Sequence, residues 1–550
     1  MAERYDVVVV GAGAGGMTAA LVAAAEGLKV LVLEKTDFVG GTTAISGGMV
    51  WAPMAAAGDD TAEAAAAYLD ATVPTESGRD LRAAFLTKAP EAIAYLDSNS
   101  EVKLRPVPLY PDYYPEAPGS TMRGRVLEPE RFDARALGDG FKLLRSPLPE
   151  FMLFGGMMVA RPDLPHFRNV YRSATSFLRV ARLTAAYLLQ RLKHHRGTDL
   201  VLGNALAGRL LKSLRDRGVP IRIGAAIDGL ETRDGRIIGV RVAGELIEAD
   251  RAVILSTGGF SHDGERRAEL LPEQATVTAV TEGATGDGLR LGETAGGTVH
   301  AGDIEAAFWT PVSWFTNAEG RQVKFPHTVT DRGKPGLIAV NRQGRRFTNE
   351  AVSYHEFVRA QLRADNVGHA VPAHLICDKN FLWKYGLGAV KPMTGNRKPY
   401  LDAGYLIEAP TLAGLATKLG LDPAALLETV ERFNADARAG EDREFGRGSN
   451  AYQRHFGDPA VSPNPCLAPI ETGPFYSVAV WPADLGTASG LNTDTRARVL
   501  DAGGAPIPGL YACGNDMASI MRGAYPGPGI TLGPALTFGY LAAMDAAASP

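Results

Sequence analysis

Residues 5–34 read YDVVVVGAGAGGMTAALVAAAEGLKVLVLE, and this stretch decides the fold. Residues 5–10 are a short valine-rich run, typical of a parallel strand covered on both faces. A glycine turn, a helix ending near Gly27 and a second apolar strand over residues 28–33 follow, and the acid Glu34 comes at the strand end. This order predicts a complete strand–turn–helix–strand unit that binds a dinucleotide.

Each glycine of the turn has a physical role in such a unit. Gly11 permits the tight turn, Gly13 lets the backbone approach a pyrophosphate, and Gly16 lets the helix lie close to the strand. The helix N-terminus offers free N–H groups to the phosphates. Glu34 can accept hydrogen bonds from ribose hydroxyls, and we expect Gly15 to belong to the same cofactor contact.

A second run of small residues follows Glu34. Its backbone N–H groups and hydroxyls can wrap the far side of a pyrophosphate and a ribityl chain. A simple NAD domain does not need such a second cradle, so the run favours FAD. The contacts predicted in it are Lys35, Gly41, Thr42, Thr43, Ser46, Gly47 and Gly48.

Later parts of the chain supply the matching half of the site. Residues 252–259 form a strand that ends in a small-residue turn, and residues 509–516 form another. Residues 525–535 open an apolar C-terminal helix, whose N-terminus can face the flavin and stabilise negative charge on the reduced ring. The FAD contacts predicted here are Thr257, Gly258, Gly514, Asn515, Thr531 and Leu532.

The bulk properties exclude several classes of protein. The length of 550 residues predicts two to four domains. The net charge of -4 does not indicate a surface that binds nucleic acid. Three scattered cysteines argue against a disulfide framework and indicate a reducing, cytoplasmic setting. The sequence shows no signal peptide or membrane span. The pair His194-His195 has no acid or cysteine at a metal-binding spacing, so no metal site is predicted.

These features resemble the FAD-dependent family that includes fumarate reductase flavoproteins and 3-ketosteroid Δ1-dehydrogenases. The resemblance implies an α/β fold with an α+β cap, in which both chain ends form a Rossmann-like FAD-binding domain. It implies a first FAD-binding part at residues 1–296, a substrate-capping domain at 297–465 and a return to the FAD domain at 466–550. Residues of about 106–197 are expected to be a helical, apolar insertion in the first part.

Several positions depart from the fumarate reductase pattern. Tyr354 stands where those enzymes carry an arginine proton donor, Thr531 replaces a carboxylate-binding arginine, and residues 482–487 lack their histidine. A dicarboxylate needs fixed positive charge, so a small, apolar, neutral ketone is the expected substrate. Arg346 remains, with two open interpretations: a site residue, or a support for the turn at Asn349-Glu350.

Three motifs resemble the steroid dehydrogenase branch: PDYY at 111–114, residues 349–354, and YPGPG at 525–529. The resemblance implies that the Tyr525 hydroxyl and the Gly529 N–H polarise a ketone. It implies that Tyr354 takes a proton from the α carbon, helped by Tyr113, while a hydride leaves the β carbon for flavin N5. Tyr114 stays open as the alternative to Tyr113. An external acceptor must reoxidise the flavin.

Other interpretations of function stay open at this stage. A cyclohexanone-type dehydrogenase would keep the chemistry on a single ring. An alkene reductase or a non-catalytic flavin redox sensor would change the class. The aromatic residues Phe308-Trp309 and Trp314-Phe315 line an apolar pocket or form the core of the cap, and the sequence favours neither.

The segment from Phe151 to Arg196 is predicted to be an insertion in the FAD-binding fold. Residues 176–196 predict an amphipathic helix with Arg179, Arg182, Arg191, Lys193 and Arg196. Such a helix can make weak peripheral contact with a membrane surface. The alternative is a surface helix packed on the core with its basic face in water.

Overall fold

The computed structural model describes residues 3–56, 58 and 60–549. Its first sheet, here called the main sheet, holds both ends of the chain. The strand order is 498–500, 506–512, 245–255, 3–10, 30–33 and 221–222, and a meander of 229–233 and 236–242 extends strand 245–255. The strands are Glu3–Val10, Val30–Leu33, Ile221–Arg222, Gly229–Arg233, Arg236–Val242, Glu245–Leu255, Arg498–Leu500 and Pro506–Ala512.

The centre of the main sheet is parallel. Residues 7–10 pair in parallel register with 30–33 on one side and with 252–255 on the other, and 253–255 pair with 510–512. The carboxyl ends of these strands therefore lie at one edge, where ligands bind in such sheets. A Cβ on Gly11, which has φ +102, would lie 2.2 Å from the Ser256 carbonyl oxygen. Close packing of the two turns thus requires glycine there, and the predicted strand–turn–helix unit is observed.

Helices that are apolar on every side cover this sheet. The helix Ala14–Ala25 is buried along nearly its whole length and packs against the C-terminal helix Leu532–Ala548. An apolar perimeter of this kind is typical of a helix held inside a protein. The α-helices are Ala14–Ala25, Ala62–Thr72, Arg79–Asn99, Leu164–Arg168, Ala174–Arg191, Leu202–Asp216, Gly264–Leu270, Asp287–Thr294, Val329–Arg332, Tyr354–Gly368, Lys379–Tyr385, Lys398–Asp402, Leu412–Leu419, Pro423–Ala439, Ala451–Phe456 and Leu532–Ala548.

The second sheet, here called the cap sheet, has seven strands arranged around the long strand Phe475–Thr487. Along its 13 residues, that strand pairs with three strands in antiparallel register and with one in parallel register. The remaining strands are Val277–Thr278, Ala307–Thr316, Gln322–Pro326, Leu337–Val340, Ala373–Asp378 and Ile407–Ala409. The cap sheet has buried apolar clusters of its own, distinct from the large cluster around the main sheet.

The chain crosses between the two sheets at positions that differ from the expected domain edges. Residues 277–278 already belong to the cap sheet, although the first FAD-binding part was expected to reach 296. Residues 475–487 still belong to it, although the return was expected at 466. Sheet membership is one criterion among several for a domain, and the edges at 296/297 and 465/466 stay predictions.

Small sheets and short helices complete the architecture. The pairs are Val299–His300 with Gly490–Leu491, Phe132–Asp133 with Asp199–Leu200, and the three strands Val50–Trp51, Val126–Pro129 and Leu104–Pro106. The 3₁₀ helices are Gly41–Ile45, Ala134–Lys142, Pro149–Phe151, Arg161–Asp163 and Gly514–Asp516. In the part of the chain that the structure describes, no helix has the length and apolarity to cross a bilayer.

The inserted segment carries a helix at Ala174–Arg191, shorter than the predicted 176–196. Ser173 caps its N-terminus by accepting from the Ser176 N–H. Arg196 lies beyond the helix, is buried, and donates to Asn204 at 3.0 Å, so it belongs to no basic surface face. The prediction for Arg196 was therefore wrong, because the helix ends before it and the following turn folds back onto the core.

Candidate active site

Three tyrosine hydroxyls form a chain at the junction of the two sheets. The Tyr113 hydroxyl donates to Tyr354 at 3.0 Å, and the Tyr354 hydroxyl donates to Tyr525 at 2.9 Å. The rings of Tyr113 and Tyr525 are stacked at 5.7 Å, and the ring of Tyr354 stands edge-on to both. Residues 241 and 171 positions apart in sequence are thus joined in one cluster. The Tyr525 proton is left free to be donated outward.

Backbone contacts hold the PDYY and YPGPG loops together. The Tyr113 N–H and the Tyr68 hydroxyl both donate to the Pro526 carbonyl, at 3.0 and 2.5 Å. Asp112 is buried and accepts from the Trp51 indole N–H at 3.1 Å and from Arg125 at 2.8 Å. Burial raises the pKa of Asp112 to about 6, while Arg125 opposes that rise. The two loops therefore present Tyr113 and Tyr525 as one rigid unit.

Tyr354 is the first residue of the helix Tyr354–Gly368. The Ser353 side chain accepts from the Glu356 N–H at 3.3 Å, which matches the serine-to-glutamate spacing of a capping box. A helix N-terminus favours negative charge nearby. This position therefore favours a tyrosinate at Tyr354 more than a position in the middle of a helix would.

The turn before this helix is fixed by buried ion pairs. Arg346 donates to both carboxylate oxygens of Glu350, at 2.9 and 2.8 Å, and to Asp442 at 2.8 Å. Arg447 donates to Glu350 at 3.0 Å, so two cations match two acids. The structure therefore supports the interpretation of Arg346 as a support for the turn. Its guanidinium is committed to carboxylates of the protein.

Tyr114 and Tyr452 border the cluster in different ways. The Tyr114 hydroxyl donates to Glu356 at 2.9 Å, and so points to a different partner from Tyr113. The Tyr452 ring packs against Tyr113 with centroids 5.0 Å apart. Its buried hydroxyl has no hydrogen-bond partner among the described residues. Of the two PDYY tyrosines, only Tyr113 reaches Tyr354 in this structure.

Burial keeps the phenols neutral. It raises the pKa of Tyr113, Tyr354 and Tyr525 well above the usual value near 10. The neighbouring Tyr525 raises the pKa of Tyr354 further, and the hydrogen bond from Tyr113 lowers it. His355 stacks 5.6 Å from Tyr525, and burial lowers its pKa to about 3. A neutral imidazole therefore lines this wall.

Gly529 begins the helical turn that leads into Leu532–Ala548. Its φ is +89, and a Cβ there would lie 2.3 Å from the Met49 carbonyl oxygen. Its carbonyl accepts from the Trp51 N–H at 3.1 Å, while its own N–H has no acceptor in residues 3–56, 58 and 60–549. Thr531 caps the helix without a side-chain hydrogen bond. Donors at this helix start are therefore available to a ligand.

The aromatic residues of the cap separate into two groups. Phe308 is buried and meets the Tyr525 ring edge-on at 5.3 Å, so it lines the site. Trp309 and Phe315 lie in the apolar core of the cap sheet. Trp314 is partly exposed and packs against Trp481. Only Phe308 of the four is placed to meet a substrate.

The turn at the edge of the main sheet fits a dinucleotide. A Cβ built on Gly13 meets no atom within 4 Å, whereas a Cβ on Gly16 would lie 2.0 Å from the Gly11 carbonyl oxygen. The helix after Gly13 has no side-chain cap. The N–H groups of Gly15 and Gly16 have no acceptor among the described residues, so this open cradle is where FAD phosphates would be held.

A small cleft lies between Phe308, which contacts the Tyr525 ring, and the start of the C-terminal helix at Thr531. Its lining also includes Thr487 and Asn515. The buried Thr487 hydroxyl has no hydrogen-bond partner among the described residues. A buried, unpaired hydroxyl is costly unless a ligand satisfies it, so Thr487 could bind a polar group of the cofactor.

The predicted cofactor residues take different positions around the cradle. Glu34 accepts from the Ala12 N–H and from Thr36, both at 2.9 Å, so its carboxylate is anchored at the strand end. Lys35 pairs with Asp287 at 2.6 Å, and its ammonium is committed to that acid. The Thr43 hydroxyl accepts from the Ala14 N–H at 3.2 Å. The following predicted cofactor contacts stay predictions: Gly11, Gly15, Gly41, Thr42, Ser46, Gly47, Gly48, Thr257, Gly258, Gly514 and Leu532.

Asp516 is a residue that the sequence reasoning missed. It is fully buried and accepts from the N–H groups of Thr257 and Gly259, at 2.5 and 2.9 Å, and from the Thr257 hydroxyl at 2.9 Å. Burial raises its pKa, and these donors oppose the rise. It thereby joins the turn after strand 245–255 to the turn after strand 506–512. The available signal was an acid directly after the glycine turn at 514.

The chain matches a known protein family over nearly its whole length. The model of the FAD binding domain family matches residues 6–532. The chain belongs to this family. It is 39% identical to the 4-oxocyclohex-2-ene-1-carboxylate 5-dehydrogenase of Sinomonas cyclohexanicum, over 98% of this chain and 93% of the relative. It is 38% identical to the 3-oxosteroid 1-dehydrogenase of Mycolicibacterium smegmatis, over 100% and 98%.

A solved structure has the same fold as this chain. The 3-ketosteroid delta1-dehydrogenase from Sterolibacterium denitrificans, in complex with 1,4-androstadiene-3,17-dione, superposes with a TM-score of 0.92. The two chains are 38% identical, and the match covers 99% of this chain and 100% of the other. This FAD-binding protein is thus an oxidoreductase that acts on CH–CH bonds, in the dehydrogenase branch that the tyrosine motifs indicated.

The polar groups of this site are the hydroxyls of Tyr354 and Tyr525 and the unpaired Gly529 N–H. The cradle would hold FAD, which supplies a hydride acceptor. Among the described residues, no group of three or more histidine, cysteine or acidic side chains could hold a metal ion.

Proposed function

We propose that this protein desaturates a cyclic ketone next to its carbonyl, with 3-ketosteroid Δ1-dehydrogenation as the leading reaction. The observation that carries the proposal is the chain of hydroxyls from Tyr113 through Tyr354 to Tyr525, beside a glycine whose N–H is free. The relatives named for 3-oxosteroids support the substrate class.

The ketone oxygen would bind between the Tyr525 hydroxyl and the Gly529 N–H. Both donors point from rigid loops, so they stabilise the negative charge that develops on the oxygen during enolisation. The Tyr525 hydroxyl would donate its proton to the ketone oxygen, and it accepts from Tyr354 as long as Tyr354 is protonated. This pair therefore acidifies the α carbon.

Tyr354 would accept the α proton. Its pKa is high because it is buried, so the tyrosinate needs support. Tyr113 donates to it, and the N-terminus of its own helix favours the anion. FAD, when bound, supplies the acceptor for the hydride that leaves the β carbon. The tyrosine site and the cradle would then face opposite sides of the substrate.

A single-ring ketone is a second candidate, favoured by one specific observation. A relative at 39% identity is named for a dehydrogenation of a cyclohexene carboxylate, not of a steroid. The tyrosine mechanism would be the same on that ring. The two candidates differ in the size and charge of the part of the substrate that lies away from the ketone.

The oxidised product leaves a reduced flavin, so an external electron acceptor must complete the cycle. We propose a soluble or membrane-borne carrier in the cytoplasm, where the three buried free cysteines would be stable.

Weak contact with a membrane surface is part of this proposal. The helix Ala174–Arg191 and its flanks expose large apolar side chains: Tyr171 at 85%, Phe177 at 56%, Leu178 at 65%, Leu188 at 58%, Leu189 at 68% and Leu192 at 79%. The exposed cations Arg172, Arg182, Arg191 and Lys193 lie among them. Such a mixture complements an anionic bilayer. Flotation with phosphatidylserine-containing vesicles, compared with L188E/L189E, tests this; equal flotation of both would contradict it.

The decisive experiment mixes the oxidised holoprotein anaerobically with 4-androstene-3,17-dione and, separately, with cyclohexanone. Bleaching of the flavin near 450 nm, with a Δ1 product, supports the leading reaction. Bleaching by cyclohexanone alone keeps the mechanism and moves the substrate to single rings. If neither ketone bleaches the flavin, the dehydrogenase proposal fails, and turnover with a reduced dye and an activated alkene separates a reductase from a redox sensor.

A further inference from the structure

Arg161 is a cation beside the tyrosine site that the mechanism above does not use. It lies in the inserted segment, in the short 3₁₀ helix Arg161–Asp163, and its side chain is 37% exposed. Its Nη2 is 3.7 Å from the Met49 sulfur, and its guanidinium carbon is 5.7 Å from the centre of the Tyr110 ring.

Both of these neighbours touch residues of the proposed ketone site. The Met49 carbonyl oxygen packs so closely on Gly529 that a Cβ there would lie 2.3 Å away. Burial raises the pKa of Tyr110 to about 12, and its neighbours Arg161 and Tyr113 oppose that rise. Arg161 therefore contacts Met49, which packs on Gly529, and Tyr110, which is a neighbour of Tyr113.

The charge of Arg161 is only partly neutralised. Its Nε lies 3.3 Å from one oxygen of Glu128, and the other oxygen of that acid accepts from Arg105 at 2.9 Å. Within the described part of the chain, the Nη groups of Arg161 contact no oxygen acceptor. One carboxylate is thus shared between two guanidinium groups, and a fork of N–H donors stays available.

Two basic residues lie near Tyr110 on the side of Phe456. The His455 ring is 5.8 Å from the Tyr110 ring, and the Phe456 ring is 5.4 Å from it. The ammonium of Lys334 donates to the carbonyls of Phe456 and Gly457, both at 2.7 Å. Burial lowers the pKa of His455, and the charges of Arg161 and Lys334 lower it further. His455 is therefore held neutral, and the cations near Tyr110 are Arg161 and Lys334, whereas the ketone end of the site has lost its cations.

We propose that Arg161 binds an anionic group, a carboxylate, at the end of the substrate that lies away from the ketone. The inference rests on the proposed function, because it assigns the orientation of a cyclic ketone whose oxygen is held by Tyr525 and Gly529. Arginine is suited to this role, since its planar fork matches a carboxylate in two hydrogen bonds. The substrate class is then a cyclic keto acid, and Arg161 determines specificity without taking part in bond breaking.

The test measures a ratio of specificities on the holoenzyme. We compare kcat/KM for 4-oxocyclohexanecarboxylate with that for 4-methylcyclohexanone, and for a 3-oxosteroid with a side-chain carboxylate with that for 4-androstene-3,17-dione. In Arg161→Gln, the acid-to-neutral ratio is expected to fall at least tenfold for whichever ring size the enzyme accepts. The pair of substrates whose ratio falls shows whether the carboxylate belongs to a single-ring ketone or to a steroid.

Two further variants separate binding from structure. Arg105→Gln is the matched control, because it removes the other partner of Glu128 and should leave the ratio within twofold. Arg161→Lys keeps the charge but loses the fork, and should restore part of the ratio. Added salt should raise the KM of the wild type for the acid more than for the neutral ketone.

The outcomes are distinguishable from failure of the proposed function. If no ketone of either ring size bleaches the wild-type flavin, the proposed function itself fails. If ketones are oxidised but Arg161→Gln leaves the acid-to-neutral ratio unchanged, the role of Arg161 is overturned. The same holds if Arg105→Gln lowers the ratio equally, because the effect would then come from Glu128.

Discussion

The hydroxyl of Tyr354 donates to the hydroxyl of Tyr525 at 2.9 Å, across a junction between a helix of the cap and a loop of the main domain. Both phenols are buried, and burial raises both pKa values. One of them must nevertheless ionise if it is to remove a proton from carbon. The hydrogen bond to Tyr525 raises the pKa of Tyr354, because the donated proton is the one that ionisation removes, whereas the hydrogen bond from Tyr113 lowers it.

Replacing Tyr354 by phenylalanine should remove the base while leaving the cofactor site intact. General-base groups contribute roughly 10²- to 10⁴-fold to rates, and we expect a loss of kcat in that range. Rapid-reaction measurement of flavin bleaching checks this, together with the flavin content of the variant. Tyr114→Phe is the matched control, because Tyr114 donates to Glu356 and should cost only a few-fold. Equal losses in both variants would contradict the assignment.

The pH dependence should show the same group. A buried tyrosine with a raised pKa is mostly protonated at neutral pH, so its active fraction grows about tenfold for each pH unit. We expect log kcat/KM to rise with a slope near one between about pH 6 and 9. In Tyr113→Phe the rise should shift to higher pH, because the hydrogen bond that lowers the pKa of Tyr354 is gone. A flat profile in the wild type would rule out this base.

Much of the fold could be predicted because its signals are local. The strand, glycine turn and helix of residues 5–34 are contiguous, and their geometry follows from glycine positions such as Gly11 and Gly16. The cap sheet could not be predicted in this way. Its central strand at 475–487 pairs with strands more than 150 residues earlier, and no local pattern specifies such partners.

In the candidate site, too, local sequence patterns were not enough to predict which residues come together. Tyr113, Tyr354 and Tyr525 could be proposed only through a resemblance of motifs, because spacing alone does not bring them together. Asp516 and Arg161 were not predicted as site residues. The first acts through backbone N–H groups of a distant turn, and the second comes from an insertion outside the shared motifs.

Two glycines of the first turn should respond differently to the same substitution. A Cβ on Gly16 would meet the Gly11 carbonyl at 2.0 Å, so Gly16→Ala should destabilise the apoprotein by a few kcal/mol. A Cβ on Gly13 meets nothing within 4 Å, so Gly13→Ala should melt like the wild-type apoprotein. Its FAD affinity should nevertheless fall, because the pyrophosphate needs that space. Thermal melting of apoprotein and FAD titration measure the two effects; unchanged affinity in Gly13→Ala would contradict the cradle.

Gly529 offers a test of the ketone site. Alanine there would combine a φ of +89 with a Cβ 2.3 Å from the Met49 carbonyl, so the loop must shift. We expect Gly529→Ala to lower kcat/KM by at least tenfold, because the free N–H moves away from the ketone oxygen. The control is Gly264→Ala, where a Cβ meets no atom within 4 Å. Wild-type turnover in Gly529→Ala would show that this N–H does not polarise the substrate.

Acid stability should depend on His355. Burial lowers its pKa to about 3, while an unfolded chain protonates near 6.5. The unfolded state therefore binds the proton more readily, and the stability contributed by neutral His355 is fully present above pH 6.5 and is lost as pH falls toward 3. His355→Gln removes that titration and keeps an acceptor for the Trp309 N–H, which the imidazole Nδ1 now accepts at 3.1 Å. Between pH 6.5 and 4, the variant's melting temperature should fall less steeply than that of the wild type. Parallel curves would mean that His355 is already accessible to protons in the native state.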